Sequence, residues 1–294
     1  MAQSSISRVG VVVKPNQPEA LKTTCRLVEW LDARGIKLIG IPELDRDRIE
    51  GETGCSIEIV EQEKLAASVD MIVVLGGDGT MIATSRMIGD YDVPVLGINY
   101  GTLGYLAEFR VEEMFQALES ILTGDYRIDT RVRLAVEVMR GDEILMHSRA
   151  LNDVVINKSA LARIIEIEAR MDGHLISGFR ADGLIVSTPT GSTAYNLSAG
   201  GPVVYPSMNA LVITPICPFT LSDRPIVVPD DALIELRLRT PNEEVVLTLD
   251  GQVGLPIHPE DRVLIRKSLT TFKIVQPTNR NYFEVLREKL RWGK

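Results

Sequence analysis

Apolar residues follow two rhythms along this chain, and the change from one to the other divides it. In the first third, compact apolar runs alternate with stretches where apolar residues recur every three or four positions. Val9 to Val13, Ile36 to Ile41, Met71 to Leu75 and Val93 to Ile98 are rich in β-branched residues and predict buried strands. Glu19 to Ala33 predicts a helix with Leu21, Cys25, Val28 and Leu31 on one face, stopped by Gly35. Glu58 to Ala67 predicts another helix, and Met81 to Ile88 a third, which Thr80 can cap. Val111 to Leu122 predicts a fourth: Val111, Met114, Phe115, Leu118 and Leu122 share a face, and Gly124 follows its end. The polar segment Asp45 to Gly54 reads as an exposed loop. Alternating strands and helices imply a parallel sheet covered by helices.

After Thr130 the period falls to two. Arg133 to Met139 predicts a strand, and Ile165, Ile167 and Ala169 alternate with Glu166, Glu168 and Arg170. Ile234, Leu236 and Leu238 alternate with Glu235, Arg237 and Arg239; Val245 to Leu249, Val263 to Arg266 and Phe272 to Val275 continue the theme. Asp172-Gly173 signals a hairpin turn. The fold class is therefore an α/β N-terminal domain, residues 1–129, plus a mostly-β C-terminal domain, residues 130–275. In the tail, 276–294, an amphipathic segment from Tyr282 to Leu290 aligns Phe283, Leu286 and Leu290, and is expected to pack back on the first domain. No internal repeat or low-complexity linker separates the domains, so a cleft between them is expected.

Composition narrows the function classes. A hydrophobic fraction of 45% over 294 residues supports a sizeable core. The net charge of −8 argues against nucleic-acid and membrane-surface binding, so an anionic substrate needs a local pocket of Arg and backbone N–H groups. Cys25, Cys55 and Cys217 are too few and too far apart for a disulfide framework or a zinc cluster, which suits a reducing cytoplasm. No run approaches the roughly 20 apolar residues of a membrane span. His147, His174 and His258 lack ligand spacing, so no His-held metal is expected.

Candidate chemistry concentrates at strand exits. Met71 to Leu75 runs into Gly76-Gly77-Asp78-Gly79-Thr80. In an open α/β sheet that edge receives ligands, and a helix N-terminus there offers N–H groups to phosphate. Asp78 can then act as a base or hold a metal; a solvated turn residue is the plain alternative. Gly97-Ile98-Asn99 to Gly104 is a second glycine-rich exit, where Asn99 either orients a ligand or serves the turn. Asn152-Asp153 precedes an apolar strand and can hydrogen-bond a ribose or amide, or cap the strand. Arg180 to Tyr195 leads a charged entry through a buried strand into a Ser/Thr/Pro/Gly loop that can cradle phosphates or ribose hydroxyls. Asp250-Gly251-Gln252 reads as a hairpin turn. Neither a Walker loop nor a G-x-G-x-x-G fingerprint after a strand is present, which sets aside P-loop NTPases and Rossmann dehydrogenases.

Together these stretches resemble the NAD kinase family over about Val9 to Leu290. Gly76-Gly77-Asp78-Gly79 is similar to the GGDG motif, shared more weakly with diacylglycerol kinases and 6-phosphofructokinases. The block from Asp182 to Pro202 is the most specific match. The resemblance implies transfer of the γ-phosphoryl of ATP to the 2′-hydroxyl of the adenosine ribose of NAD, giving NADP. It implies Asp78 as general base, with Gly79 and Asn99 beside the nucleotides. It also implies dinucleotide contacts at Asn152, Asp153, Arg163, Arg180, Asp182, Thr193, Ala194, Tyr195, Asn196, Leu197, Ser198 and Gln252. With Arg180 this site resembles that of the ATP-preferring members, whereas polyphosphate users tend to carry Gly there, so ATP is the expected donor. A divalent ion, Mg2+ carried by ATP, is the expected cofactor, with no dedicated metal cage. A cytoplasmic homodimer or homotetramer is expected, with no nucleic-acid or membrane partner. A diacylglycerol-type lipid kinase is disfavoured by the acidic composition, and a non-catalytic dinucleotide sensor by the intact Asp78.

Overall fold

A computed structural model describes residues 6–15, 17–159, 163–241, 244–278 and 280–292. The chain forms two compact units. One is the chain up to Thr130 together with the stretch from Phe272 onward; the other is Arg131–Thr271.

The first unit contains β1 (Arg8–Val13), α1 (Pro18–Asp32), β2 (Lys37–Gly40), α2 (Arg46–Thr53), β3 (Glu58–Ile59), β4 (Met71–Leu75), α3 (Asp78–Met87), β5 (Val95–Asn99), β6 (Phe109–Arg110), α4 (Met114–Thr123) and β7 (Arg127–Arg131). The second contains β8 (Leu134–Arg140), β9 (Glu143–Ala150), β10 (Asp153–Lys158), β11 (Ile165–Met171), β12 (His174–Ala181), β13 (Gly183–Ser187), the short α5 (Tyr195–Ser198), β14 (Ala210–Ile216), β15 (Ile226–Pro229), β16 (Ile234–Leu238), β17 (Val245–Leu249), β18 (Val253–Ile257) and β19 (Asp261–Lys267). The chain then returns to the first unit with β20 (Phe272–Gln276) and α6 (Tyr282–Leu290).

The first sheet runs β3-β2-β1-β4-β5-β20-β7, with β6 beside β5. The pairs β1–β2, β1–β4, β4–β5 and β5–β20 are parallel. Val9 and Val11 of β1 and Met71, Val73 and Leu75 of β4 share one core with Leu27, Val28 and Leu31 of α1 and Met114, Leu118 and Ile121 of α4. Each such side chain contributes roughly 1.5–3 kcal/mol on burial. Strand order reverses between β1 and β4: β1 continues through α1 to β2 on one side, and β4 through α3 to β5 on the other. Ligands of open α/β sheets bind beyond the strand ends at such a point, which is where β4 delivers Gly76 and Gly77.

Several elements differ from the sequence reading. Asp45 to Gly54 is not a loop: α2 forms there, with the Asp45 carboxylate accepting from Arg48 N at 3.2 Å. The ion pairs Arg46–Glu50 and Arg48–Glu52, both 3.0 Å, support it at helical spacing. Only Ile49 buries, so the segment carries almost no apolar period to read. The helix expected over Glu58 to Ala67 is instead β3, paired in parallel with β2, followed by 3-10 turns at Gln62–Lys64 and Ala66–Ser68. Helix α3 begins at Asp78, with Gly77 before it, so Thr80 is not its cap. Phe272–Gln276, read with the strands of the second domain, adds to the parallel sheet of the first unit through Ile274 and Val95.

In the second unit, one antiparallel sheet runs β15-β14-β13-β10-β17-β18 and another β12-β11-β16-β19-β8-β9. Val154, Ile156, Leu184 and Val186 from the first share a buried core with Val136, Ile165, Ile167 and Leu236 from the second, so the unit is a sandwich. Asp172-Gly173 turns β11 into β12, with φ 50 and 81. Asp250-Gly251 turns β17 into β18 with φ 53 and 64, both of the hairpin type that needs positive φ.

Candidate active site

The acid at the β4 exit is held by the other glycine-rich block. Asp78 occupies the first turn of α3. Its Oδ2 accepts from Tyr105 N at 2.8 Å, and its Oδ1 from Leu106 N at 3.0 Å and Ala107 N at 3.1 Å. A carboxylate has about four lone-pair sites, so three donors orient it and leave room for one more, such as a sugar hydroxyl. Gly104 makes the approach possible: a Cβ there would meet Asp78 Oδ1 at 1.9 Å. The Tyr105 phenol is pushed up by burial and, secondarily, by the Asp78 charge.

Beside this acid, at the β1–β4 reversal, lies a cavity of about 350 Å3 lined by Lys14, Gln17, Gly76, Gly77, Asn99 and Thr102, among others. Asn99 serves its own turn: Nδ2 donates to Thr102 O at 2.8 Å, and Oδ1 accepts from Gly101 N at 3.0 Å. Lys14 is the residue here that sequence reasoning missed. It directly follows β1, and Val-Lys-Pro alone does not show that β1 ends beside Gly76.

The second unit assembles a different cluster. Asp153 opens β10 opposite Ser187, the last residue of β13, and Val154 pairs with Leu249, the last residue of β17. The strand ends thus bring together Asn152-Asp153, the loop from Thr188 to Thr193, and the Asp250–Gln252 turn. Asp250 sits in the expected turn, and its carboxylate also accepts from Asn152 N at 2.7 Å, Leu151 N at 3.2 Å and Asp153 N at 3.3 Å. Asn152 O accepts from Thr188 N at 2.9 Å, and a Cβ on Gly191 would meet Asn152 O at 2.1 Å. Asp153 is 4% exposed; burial pushes its carboxyl up to about 7, and the Asp250 charge adds to the push.

The loop continues through a 3-10 turn at Gly191–Thr193 into α5. Within it Tyr195 and Ser198 are exposed and Thr193, Ala194 and Leu197 half-buried. Asn196 is turned inward. It is fully buried, with Nδ2 donating to Ser192 O and Pro202 O at 3.0 Å and Oδ1 accepting from Thr214 Oγ1 at 2.7 Å. Its side chain therefore locks the loop. Gln252 is exposed, one residue beyond the hairpin glycine.

Arg180 and Asp182 are not part of this cluster. They flank the opposite end of β13, whose five residues span roughly 16 Å of extended chain. There Asp182 pairs with Lys158 at 3.5 Å, and the Arg180 guanidinium carbon lies 4.8 Å from the centroid of the Phe219 ring. Arg163 is exposed, just ahead of β11. Gly79 is exposed in the first turn of α3. Among the described residues no group of three or more His, Cys, Asp or Glu could hold a metal ion, and no helix is long and apolar enough to cross a membrane.

A parallel α/β unit with an acid fixed at its switch point, joined in sequence to a β-sandwich with a hydroxyl-rich strand exit, defines a nucleotide-binding two-domain architecture. Comparison with known proteins makes this specific. Residues 9–126 match the ATP-NAD kinase N-terminal domain, and 151–277 the ATP-NAD kinase C-terminal domain. The NAD kinase of Geotalea daltonii is 46% identical over 289 residues, covering 98% of this chain and 100% of the relative. That of Solibacter usitatus is 40% identical, covering 98% and 99%. The crystal structure of yeast NADH kinase complexed with NADH superposes with a TM-score of 0.90 at 25% identity, covering 99% of this chain and 89% of that one. An NAD kinase from Archaeoglobus fulgidus in complex with ATP gives 0.72 at 27%, covering 97% and 98%. The chain belongs to the ATP-NAD kinase family. Its function is that of an NAD kinase, a phosphotransferase, and neither a lipid kinase nor a sensor is favoured.

Proposed function

We propose that Asp78 is the general base that takes the proton of the adenosine 2′-hydroxyl of NAD as the γ-phosphoryl of ATP is transferred to it. The observation that carries this is the three-donor seat of its carboxylate, which fixes orientation and leaves one acceptor site open. A sugar hydroxyl is a poor nucleophile at neutral pH, and a placed base is worth roughly 10² to 10⁴-fold. The rest of the acceleration is in-line positioning and charge stabilisation. Lys14 and the Gly76-Gly77 turn, at the cavity on the β1–β4 reversal, suit donor phosphates. Mg2+ enters with ATP as part of the substrate and supplies charge stabilisation on its phosphates.

Asn152, Asp153 and Gln252, with the loop from Thr193 to Ser198, bind the dinucleotide in this reading, and Asn196 holds the loop in shape. Protonated Asp153 is a hydrogen-bond donor and ionised Asp153 an acceptor, so it reads a ribose hydroxyl or an amide in either state. Arg163 and Asp182 are further dinucleotide contacts by family likeness. Arg180 meets donor phosphate. The chain up to Thr130 with the stretch from Phe272 onward, and Arg131–Thr271, stand as the two functional domains. The setting is cytoplasmic and the assembly a homodimer or homotetramer, which light scattering on the purified protein measures.

The decisive experiment is turnover and NAD binding of Asp78→Asn. We expect turnover to fall roughly 10² to 10⁴-fold with NAD affinity within a few-fold. Unimpaired turnover in a folded, NAD-binding variant removes Asp78 as base. For the donor, Arg180→Gly is expected to raise the KM for ATP, and a donor-by-acceptor activity matrix shows whether polyphosphate is then used. Unchanged donor kinetics overturn the role given to Arg180.

A further inference from the structure

Arg180 lies on β12, an edge strand of its sheet, with Phe179 buried and Arg180 itself exposed. Its cross-strand neighbour is Glu166, but among the described residues no ion pair joins them, and the guanidinium has no carboxylate partner. It packs on an aromatic ring: Arg180 Cζ sits 4.8 Å from the centroid of Phe219. Phe219 comes from the loop after β14, which bends at Cys217, φ 47. The loop is tied to the same residue twice, because Phe219 N also donates to Arg180 O at 2.8 Å. Phe219 remains 63% exposed, so core packing does not account for its placement.

These contacts leave the cation unneutralised and narrow its conformational freedom. A ring face attracts a guanidinium without using up its five in-plane N–H donors, which an anion can then take. An exposed arginine without such support loses more side-chain entropy on binding phosphate.

We propose that Phe219 is a positioning residue for Arg180: its ring holds the guanidinium, and its backbone N–H ties the loop to the Arg180 carbonyl, so that the guanidinium is ready for the phosphates of the donor nucleotide. This rests on the reading of Arg180 as a donor-phosphate residue, and the test separates the two. Steady-state constants for ATP and NAD are measured for Phe219→Ala, Phe219→Tyr, Arg180→Ala and the double variant Phe219→Ala with Arg180→Ala, with melting temperatures recorded for each. Phe219→Ala is expected to raise the KM for ATP about two- to fivefold, with kcat and the KM for NAD within twofold. Phe219→Tyr restores the ring and the KM. In the Arg180→Ala background, Phe219→Ala adds nothing. If Arg180→Ala raises the KM for ATP and Phe219→Ala does not, the positioning role is wrong while the donor reading stands. An equal effect of Phe219→Ala in both backgrounds also overturns it, since Phe219 then acts without Arg180. If Arg180→Ala leaves the KM for ATP unchanged, the donor reading itself fails and takes the proposal with it.

Discussion

Asp78 and Asp153 are both carboxylates at strand ends, each next to a glycine-bearing loop, yet their surroundings oppose each other. Asp78 accepts three backbone N–H bonds from Tyr105, Leu106 and Ala107, so its negative charge is solvated by the protein. Asp153 is buried, and its nearby charge is another carboxylate, Asp250, which itself takes the N–H groups of residues 151–153. Burial and like charge push Asp153 up to about 7. One fold therefore holds an acid on three N–H donors in one unit, and buries an acid beside a second carboxylate in the other. Residue type decided neither: three N–H donors set the one, burial beside a second carboxylate the other.

This contrast can be broken at several points. The largest effect is expected from Asp78→Asn. Its amide would turn N–H toward N–H groups at one oxygen position, so the turnover loss should come with some loosening of residues 104–107, visible as faster amide exchange there. Next is Gly104→Ala. The added Cβ needs the space of Asp78 Oδ1, and a displacement near 1 Å costs on the order of 10² in rate. The expected signature is a fall in kcat with the KM for NAD little changed; wild-type kcat would show that the seat of the carboxylate does not matter.

Asp153→Asn sharpens the other side. A carboxyl whose folded pKa lies above its unfolded value is favoured by folding in the protonated form. Stability from this group is greatest below the usual carboxylate range and falls as pH rises through about 7, by roughly 1.4 kcal/mol for each unit of separation. The wild-type melting temperature should therefore drop between pH 5 and pH 8 more steeply than that of Asp153→Asn. Parallel pH profiles would mean that Asp153 is ionised throughout. The smallest effect belongs to Lys14→Met. Loss of one exposed cation at the cavity on the β1–β4 reversal should raise the KM for ATP about three- to tenfold, equivalent to roughly 1 kcal/mol, with the KM for NAD unmoved. A shift in the KM for NAD alone would place Lys14 on the acceptor instead.

Much of the fold lies on the surface of the sequence. The runs at Val9, Met71 and Val93 and the alternation at Ile165 and Ile234 reflect burial on one or two faces, and burial selects residue type locally. The hairpins at Asp172-Gly173 and Asp250-Gly251 were equally legible, because positive φ restricts which residues fit. Helix α2 escaped because its support is capping and ion pairs, with Ile49 its sole buried residue. The sheet that takes Phe272–Gln276 is not legible, because a strand's composition does not name its neighbour.

The sequence by itself determined the two periodicities, the glycine-flanked acid, the hydroxyl-rich loop and, through them, the kinship with NAD kinases. These are properties of short segments, where backbone freedom and side-chain burial leave a direct mark. Only the tertiary structure decided that Gly104 makes room for Asp78 and that Asp250 serves residues 151–153. It also showed Asn196 facing inward and Phe219 under Arg180. Each of those relations joins groups distant along the chain, and a hydrogen bond or close contact of that kind is set by where strands end in space.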